Sequence, residues 1–115
     1  MTQPTIPDRI LLDQSAEILL AVDPASLQIA AANQRACEVL DYPLQELLGR
    51  SITDVESALA DLFYWEDVRQ GGRGDVEDVD SLYACRGGAL LPVIKSVRRI
   101  AFAGGECLVL RVRDA

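Results

Sequence analysis

Two paired glycines, Gly87-Gly88 and Gly104-Gly105, cut the C-terminal third of this chain into three apolar runs, residues 79–86, 89–102 and 106–113. The runs are rich in Val, Leu, Ile and Tyr. A glycine pair between two such runs marks a tight hairpin, because the turn needs backbone angles that other residues resist. Three strands joined by tight turns form an antiparallel meander. Everything upstream must therefore extend that sheet or cover one of its faces.

The upstream segments are legible in the same terms. Ile18–Val22 is apolar, too short for a free-standing helix, and broken by Asp23-Pro24. Residues 27–32 form a second run, after which Asn33 stands where a helix N-cap belongs. Its side-chain oxygen can accept a bond from a free backbone amide of the first turn. Ala36, Cys37 and Leu40 follow at helical spacing. Pro43 disfavours helical geometry at Tyr42, so the helix breaks at Asp41-Tyr42-Pro43. One or two turns over 43–48 then end at Gly49, suited to a left-handed position. Ser51 and Asp54 approximate a capping box. Val55, Ala58, Leu59, Leu62 and Phe63 follow a helical stripe, which predicts one face packed on the sheet. That helix fades near 68–70, before Gly71-Gly72-Arg73-Gly74.

The sum is an α+β fold: a five-stranded antiparallel sheet with its helices inserted between strands 2 and 3. The long connection places strand 1 beside strand 5, giving the order 2-1-5-4-3. Residues 7–14 suit a short amphipathic helix with Pro7 in its first turn, acting as a lid or a dimer contact. The division expected is a flanking segment at 1–14 and one domain at 15–115.

Composition removes many functions. The 115 residues are enough for one core without disulfides or metals. There is no histidine, which takes away the commonest general base, the commonest metal ligand and the usual axial ligand of non-covalent haem. Cys37, Cys85 and Cys107 lack metal-like spacing and read as reduced core thiols. A net charge of −7 argues against nucleic acid and anionic membrane surfaces. No membrane-spanning run or signal peptide is evident, so a cytoplasmic setting is expected. The acidic stretch 75–80 reads as a solvated strand entry; as a calcium loop it lacks the required spacing and terminal glutamate. The serines have no histidine to activate them, Gly-x-Ser-x-Gly is absent, and GGRG lacks the Lys-Ser/Thr of a phosphate loop. Glu66-Asp67 reads as surface charge. No enzyme activity is expected.

Three strings in order resemble the PAS domain, the sensory box of bacterial signalling proteins. In AAANQRACEVLDYPLQELLGRSI, the matching positions are Asn33, Ala36, Leu40, Tyr42, Glu46, Leu47, Gly49 and Arg50. In CRGGALLPVIKSVRRI they are Gly88, Pro92, Val93 and Ser96, and in LVLRVRDA the match is Asp114. The likeness covers roughly residues 10 to 115. Three positions depart from it. Asp41 and Gly87 replace a usual glycine and aspartate. Lys95 shares the parity of Leu91, Val93 and Val97, which should face the core. A bulge near Pro92 or snorkelling at the end of the core is the preferred account of Lys95; an inward side chain facing a cavity is the other.

The resemblance implies a signal-transduction input domain that binds a small ligand or partner and relays the change to a downstream output domain. That output would be a histidine kinase, a cyclic-dinucleotide enzyme or a transcriptional regulator. The relay candidates are Arg113 and Asp114, at the end of the last strand. A homodimer is expected, and the alternative reading is a ligand-free protein-interaction module that pairs through 7–14 and the outer sheet face. A non-covalent flavin sensor and a small carboxylate-using enzyme rank below it. The family's covalent flavin cysteine string is missing between Leu48 and Gln70. Non-covalent flavin stays open, with Trp65 beside Tyr64 as a stacking surface or, preferably, a cap on the core. Trp65, Tyr83 and Lys95 are the cavity candidates, with Lys95 or Arg86 as anchor for a small carboxylate or lipid-like ligand.

Overall fold

A computed structural model describes residues 17–115. Its strands are β1 (Ile18–Val22), β2 (Ile29–Ala32), β3 (Val76–Ala84), β4 (Leu90–Phe102) and β5 (Gly105–Asp114). Between β2 and β3 lie α1 (Gln34–Leu40), α2 (Leu44–Leu47), a 3₁₀ turn at Ile52–Asp54, and α3 (Leu59–Arg69). All pairings are antiparallel and the order is β2-β1-β5-β4-β3, as the hairpins and the long insertion require. The amphipathic helix expected at 7–14 lies outside the described residues.

Local chemistry accounts for the first half. Asp23 Oδ2 accepts the amides of Ala25 and Ser26, closing the turn after β1. Asn33 Oδ1 accepts from the amides of both Ala36 and Leu19, at 2.9 and 3.1 Å, so one residue caps α1 and ties it to β1. Asp41 takes the left-handed position after α1 (φ 63°) that the usual glycine would fill. Gly49 takes the equivalent place after α2 (φ 85°). The inner sheet face and helices enclose Leu20, Val22, Ile29, Leu40, Leu108 and Leu110, all wholly buried. On the other face Ala21, Cys107 and Val109 form a smaller buried patch, in which burial pushes the Cys107 thiol up.

Two expectations fail, and both failures concern the later half. First, the stripe Val55, Ala58, Leu59, Leu62, Phe63 is not one helical face. The 3₁₀ turn ends at Asp54 and Ala58 is extended (φ −63°, ψ 148°), so α3 starts in a new phase. Val55 is buried, but Leu59 and Phe63 are each 67% exposed and Leu62 is 38% exposed. The buried face of α3 is Asp61, Trp65 and Val68. Second, there is no bulge near Pro92. β3 and β4 stay in register from Val79↔Lys95 through Leu82↔Pro92 to Ala84↔Leu90, and the irregularity falls between Val76 and Val79. There Asp78 sits at φ 51° and donates its amide to Ser96 Oγ. The strand parity therefore holds. Lys95 points inward with a side chain 2% exposed, which also rules out snorkelling.

Candidate functional site

Once Lys95 points into the core, its ammonium must find anions there. Leaving a charge unpaired in a dry interior costs far more than a fold can spare. Two carboxylates meet it. Lys95 Nζ donates to Glu56 Oε1 and, at 3.3 Å, to Asp61 Oδ1. Its remaining direction faces the ring of Tyr64, 4.5 Å from the centroid, with Trp65 at 5.4 Å.

Glu56 is the hub. Trp65 Nε1 donates to Oε1 at 2.7 Å and Tyr83 OH donates to Oε2 at 2.6 Å. Asp61 Oδ2 accepts from Ser81 Oγ at 2.9 Å. Glu56, Trp65 and Tyr83 are wholly buried and Asp61 nearly so. The group joins the segment before α3, α3 itself, β3 and β4. Lys95, Ser81 and Tyr83 come from inward positions of paired strands; Asp61 and Trp65, one turn apart, come from the inner face of α3. Tyr64 stacks its ring edge-on to Trp65 (4.8 Å, 79°) and donates its hydroxyl to the Gly74 carbonyl. Gly74 is required here: its φ is +84°, and a Cβ would stand 2.9 Å from Val68 Cγ2 and 3.1 Å from the Tyr64 hydroxyl.

The electrostatics follow from the geometry. Burial pushes the Glu56 carboxyl above its ordinary 4.5, while Lys95 and the hydrogen bonds from Tyr83 and Trp65 pull the other way. Burial, reinforced by Glu56, drives the Tyr83 hydroxyl well above 10, so it stays a neutral donor. Tyr64 is raised by the same causes. Two carboxylates share a single ammonium in a water-poor space, and every one of these polar atoms has a partner.

The three cavity candidates Trp65, Tyr83 and Lys95 thus meet at one point, but they fill it with side chains. Trp65 spends its N–H on Glu56 and its edge on Tyr64, so the residues present do not fit a flavin stacked on it. Arg86 lies elsewhere, paired with Glu46 at 3.0 Å and 5.9 Å from the Tyr42 ring. Arg113 and Asp114 end β5; Arg113 pairs with Asp78 at 3.1 Å. They line a cleft of about 270 Å³ with Glu17, Ile18, Arg35, Val39 and Val112. Across β4 and β5, Lys95 stands opposite Val112 and Val93 opposite Asp114, so the buried lysine lies two rungs from Asp114.

Glu56 and Asp61 escaped the sequence reading. The signal that points to them is Lys95 itself: an inward lysine demands buried carboxylates, and the segment before α3 and the first turn of α3 supply one each.

No family model matches the sequence, and no curated protein matches it. Solved structures do. The PAS domain of an HTR-like protein from Haloarcula marismortui superposes with a TM-score of 0.73 at 29% identity, over 94% of this chain and 90% of that one. A PAS domain from a two-component sensor histidine kinase gives 0.75 at 19% identity, over 94% and 93%. The PAS domain of nitrogen regulation protein NR(II) from Vibrio parahaemolyticus gives 0.69 at 19%, over 96% and 100%. No helix among the described residues is long and apolar enough to cross a membrane. Strand order, helix placement and these likenesses agree: the chain has the PAS fold.

Proposed function

We propose that this chain is a sensory input domain in which the buried Glu56–Lys95–Asp61 group is the stimulus-sensitive element and the end of β5 carries the change outward. One observation carries the reading: Lys95 lies directly across from Val112, one residue before Arg113 and two before Asp114. A buried ion group is a poor way to gain stability, since apolar residues of similar volume often serve as well or better. It is a good way to hold two discrete packings, because its partners either all meet or are left costly and unpaired. A partner or small molecule that favours one packing of α3 shifts the population of both. The solved relatives support the role, as two of them belong to a sensor histidine kinase and to nitrogen regulation protein NR(II).

Under this reading the domain, at 15–115, lies in the cytoplasm, has no catalysis of its own and feeds a downstream effector domain through Arg113 and Asp114. Backbone amide NMR on wild type and Lys95→Met tests the coupling. Resonances of residues 111–114 should shift more than those of β2, which lies at the far edge of the sheet. Equal shifts in both places, with the fold retained, defeat the relay.

A second reading, a homodimerisation module with a filled core, draws on the satisfied state of every polar atom around Glu56. Native mass spectrometry separates the two. A colourless dimer of chain mass that reverts to monomer on deleting residues 1–14 favours it, and extra bound mass favours the ligand-binding sensor.

A further inference from the structure

The outer face of α3 is unused by the fold. Leu59, Leu62 and Phe63 fall at i, i+3 and i+4, on one turn, and are the large exposed apolar side chains of that helix. Isolated exposed apolar residues are ordinary, but three neighbours on one helical turn form a patch. The next turn of the same face changes character: Glu66 and Asp67 lie three and four residues beyond Phe63. Glu66 is engaged by Arg69, whereas Asp67 has no ion-pair partner among the described residues. The wider charge has the same sign. With the buried Glu56 and Asp61 set aside, residues 66–80 carry six acidic side chains against Arg69 and Arg73.

These facts select the occupant. A second copy packed α3 to α3 would bring two such acidic stretches together, and like charges at an interface are costly. Three side chains also fall short of the ~800 Å² per partner that a standard stable interface buries. A small apolar patch bordered by negative charge instead suits a short helix with an apolar stripe and a basic flank.

We propose that the outer face of α3 is a docking surface for a cationic amphipathic helix of another protein, seated on Leu59, Leu62 and Phe63 with a Lys or Arg over Asp67. The site lies on the opposite side of α3 from the buried ion group and does not depend on the signal-input reading. Contact would be weak and transient, since the anchors are few.

The test uses the full 115-residue chain and three labelled synthetic helices in fluorescence anisotropy. One carries a Leu stripe at i, i+3, i+4 and i+7 with a Lys-rich polar face, one the same stripe with Glu, and one the Lys composition with the stripe scrambled. The striped Lys peptide should bind in the micromolar range, and more weakly as salt rises. Phe63→Gln should weaken it about tenfold and Asp67→Lys severalfold. Both positions are exposed, and unchanged circular dichroism and Tm would show that the variants remain folded. Failure of the striped Lys peptide to bind, equal binding by the Glu or scrambled peptide, or indifference to Phe63→Gln overturns the proposal. So does a wild-type dimer in sedimentation that Phe63→Gln converts to monomer, since a second copy would then be the occupant.

Discussion

α1 and α3 cover the same sheet face by opposite means. α1 turns Ala36 and Leu40 inward and is anchored by the Asn33 side chain. Its cohesion is apolar contact plus a cap, set by neighbours in sequence. α3 turns a carboxylate and an indole inward and leaves Leu59 and Phe63 in solvent. Its cohesion is charge and hydrogen bonding between residues as far apart as Glu56 and Lys95. Apolar burial tolerates modest misplacement, whereas a dry ion group works only when all its members are in place. The α1 half is held by near neighbours in sequence, and the α3 half by partners that only the tertiary fold brings together.

The contrast can be broken most severely at Lys95. Lys95→Met leaves Glu56 and Asp61 together without a cation and should cost about 3–5 kcal/mol in denaturant unfolding. Adding Glu56→Leu should recover on the order of 1–3 kcal/mol of that loss, since residues in one network are coupled. If the double variant were no more stable than the single, the cluster would not act as a unit.

In the α1 half the largest single polar effect is expected at Asn33. Asn33→Ala removes the cap at Ala36, the bond to the Leu19 amide and the bond from Asn33 Nδ2 to the Glu17 carbonyl. A loss of about 2 kcal/mol is expected from the missing cap and the unsatisfied amides. A loss under about 0.5 kcal/mol would show that this half does not rely on the cap.

Within the α3 half, a buried and an exposed carboxyl should differ in pH response. Burial raises Glu56 above 4.5, so the folded state holds that proton more tightly than the unfolded chain does. Its contribution is then most favourable below pH 4.5 and falls as pH rises through the raised value. Stability of wild type relative to Glu56→Gln should decline with rising pH. Asp75, lowered by the Arg99 amide and Arg73, has the opposite sign: its contribution exists above 3.8 and is lost as pH falls. Wild type relative to Asp75→Asn should therefore weaken in acid. A flat difference for Glu56→Gln would show that burial does not set the titration of that carboxyl.

The smallest effect is expected on the outside of α3. Phe63→Gln should change stability by about 0.5 kcal/mol or less, because that ring is exposed. Trp65→Ala, two residues on and wholly buried, should cost about 3–5 kcal/mol. Similar losses for the two would mean that α3 packs the other way round.

The strands, both glycine hairpins, the Asn33 cap, the left-handed Gly49 and the sheet order were readable from residues alone. Each depends on near neighbours or on the chain's limited ways of closing a sheet. Trp65, Tyr83 and Lys95 were also picked out as a set, but the reason they meet, Glu56, was not. Period counting failed at α3 because the extended Ala58 resets the phase of the helix, and a count made through that break selects the wrong face. It succeeded at Lys95, where parity said inward and only the expense of a buried charge argued otherwise.

What the sequence determines, then, is the order of elements, the pairing of strands and the inward parity of Lys95. Those follow from backbone geometry, which acts over a few residues. Which face of α3 is buried, and that Lys95 is matched by Glu56 and Asp61, were decided by tertiary structure. The physical reason is that the free energy of a charge in the core depends on partners that only folding brings within bonding distance.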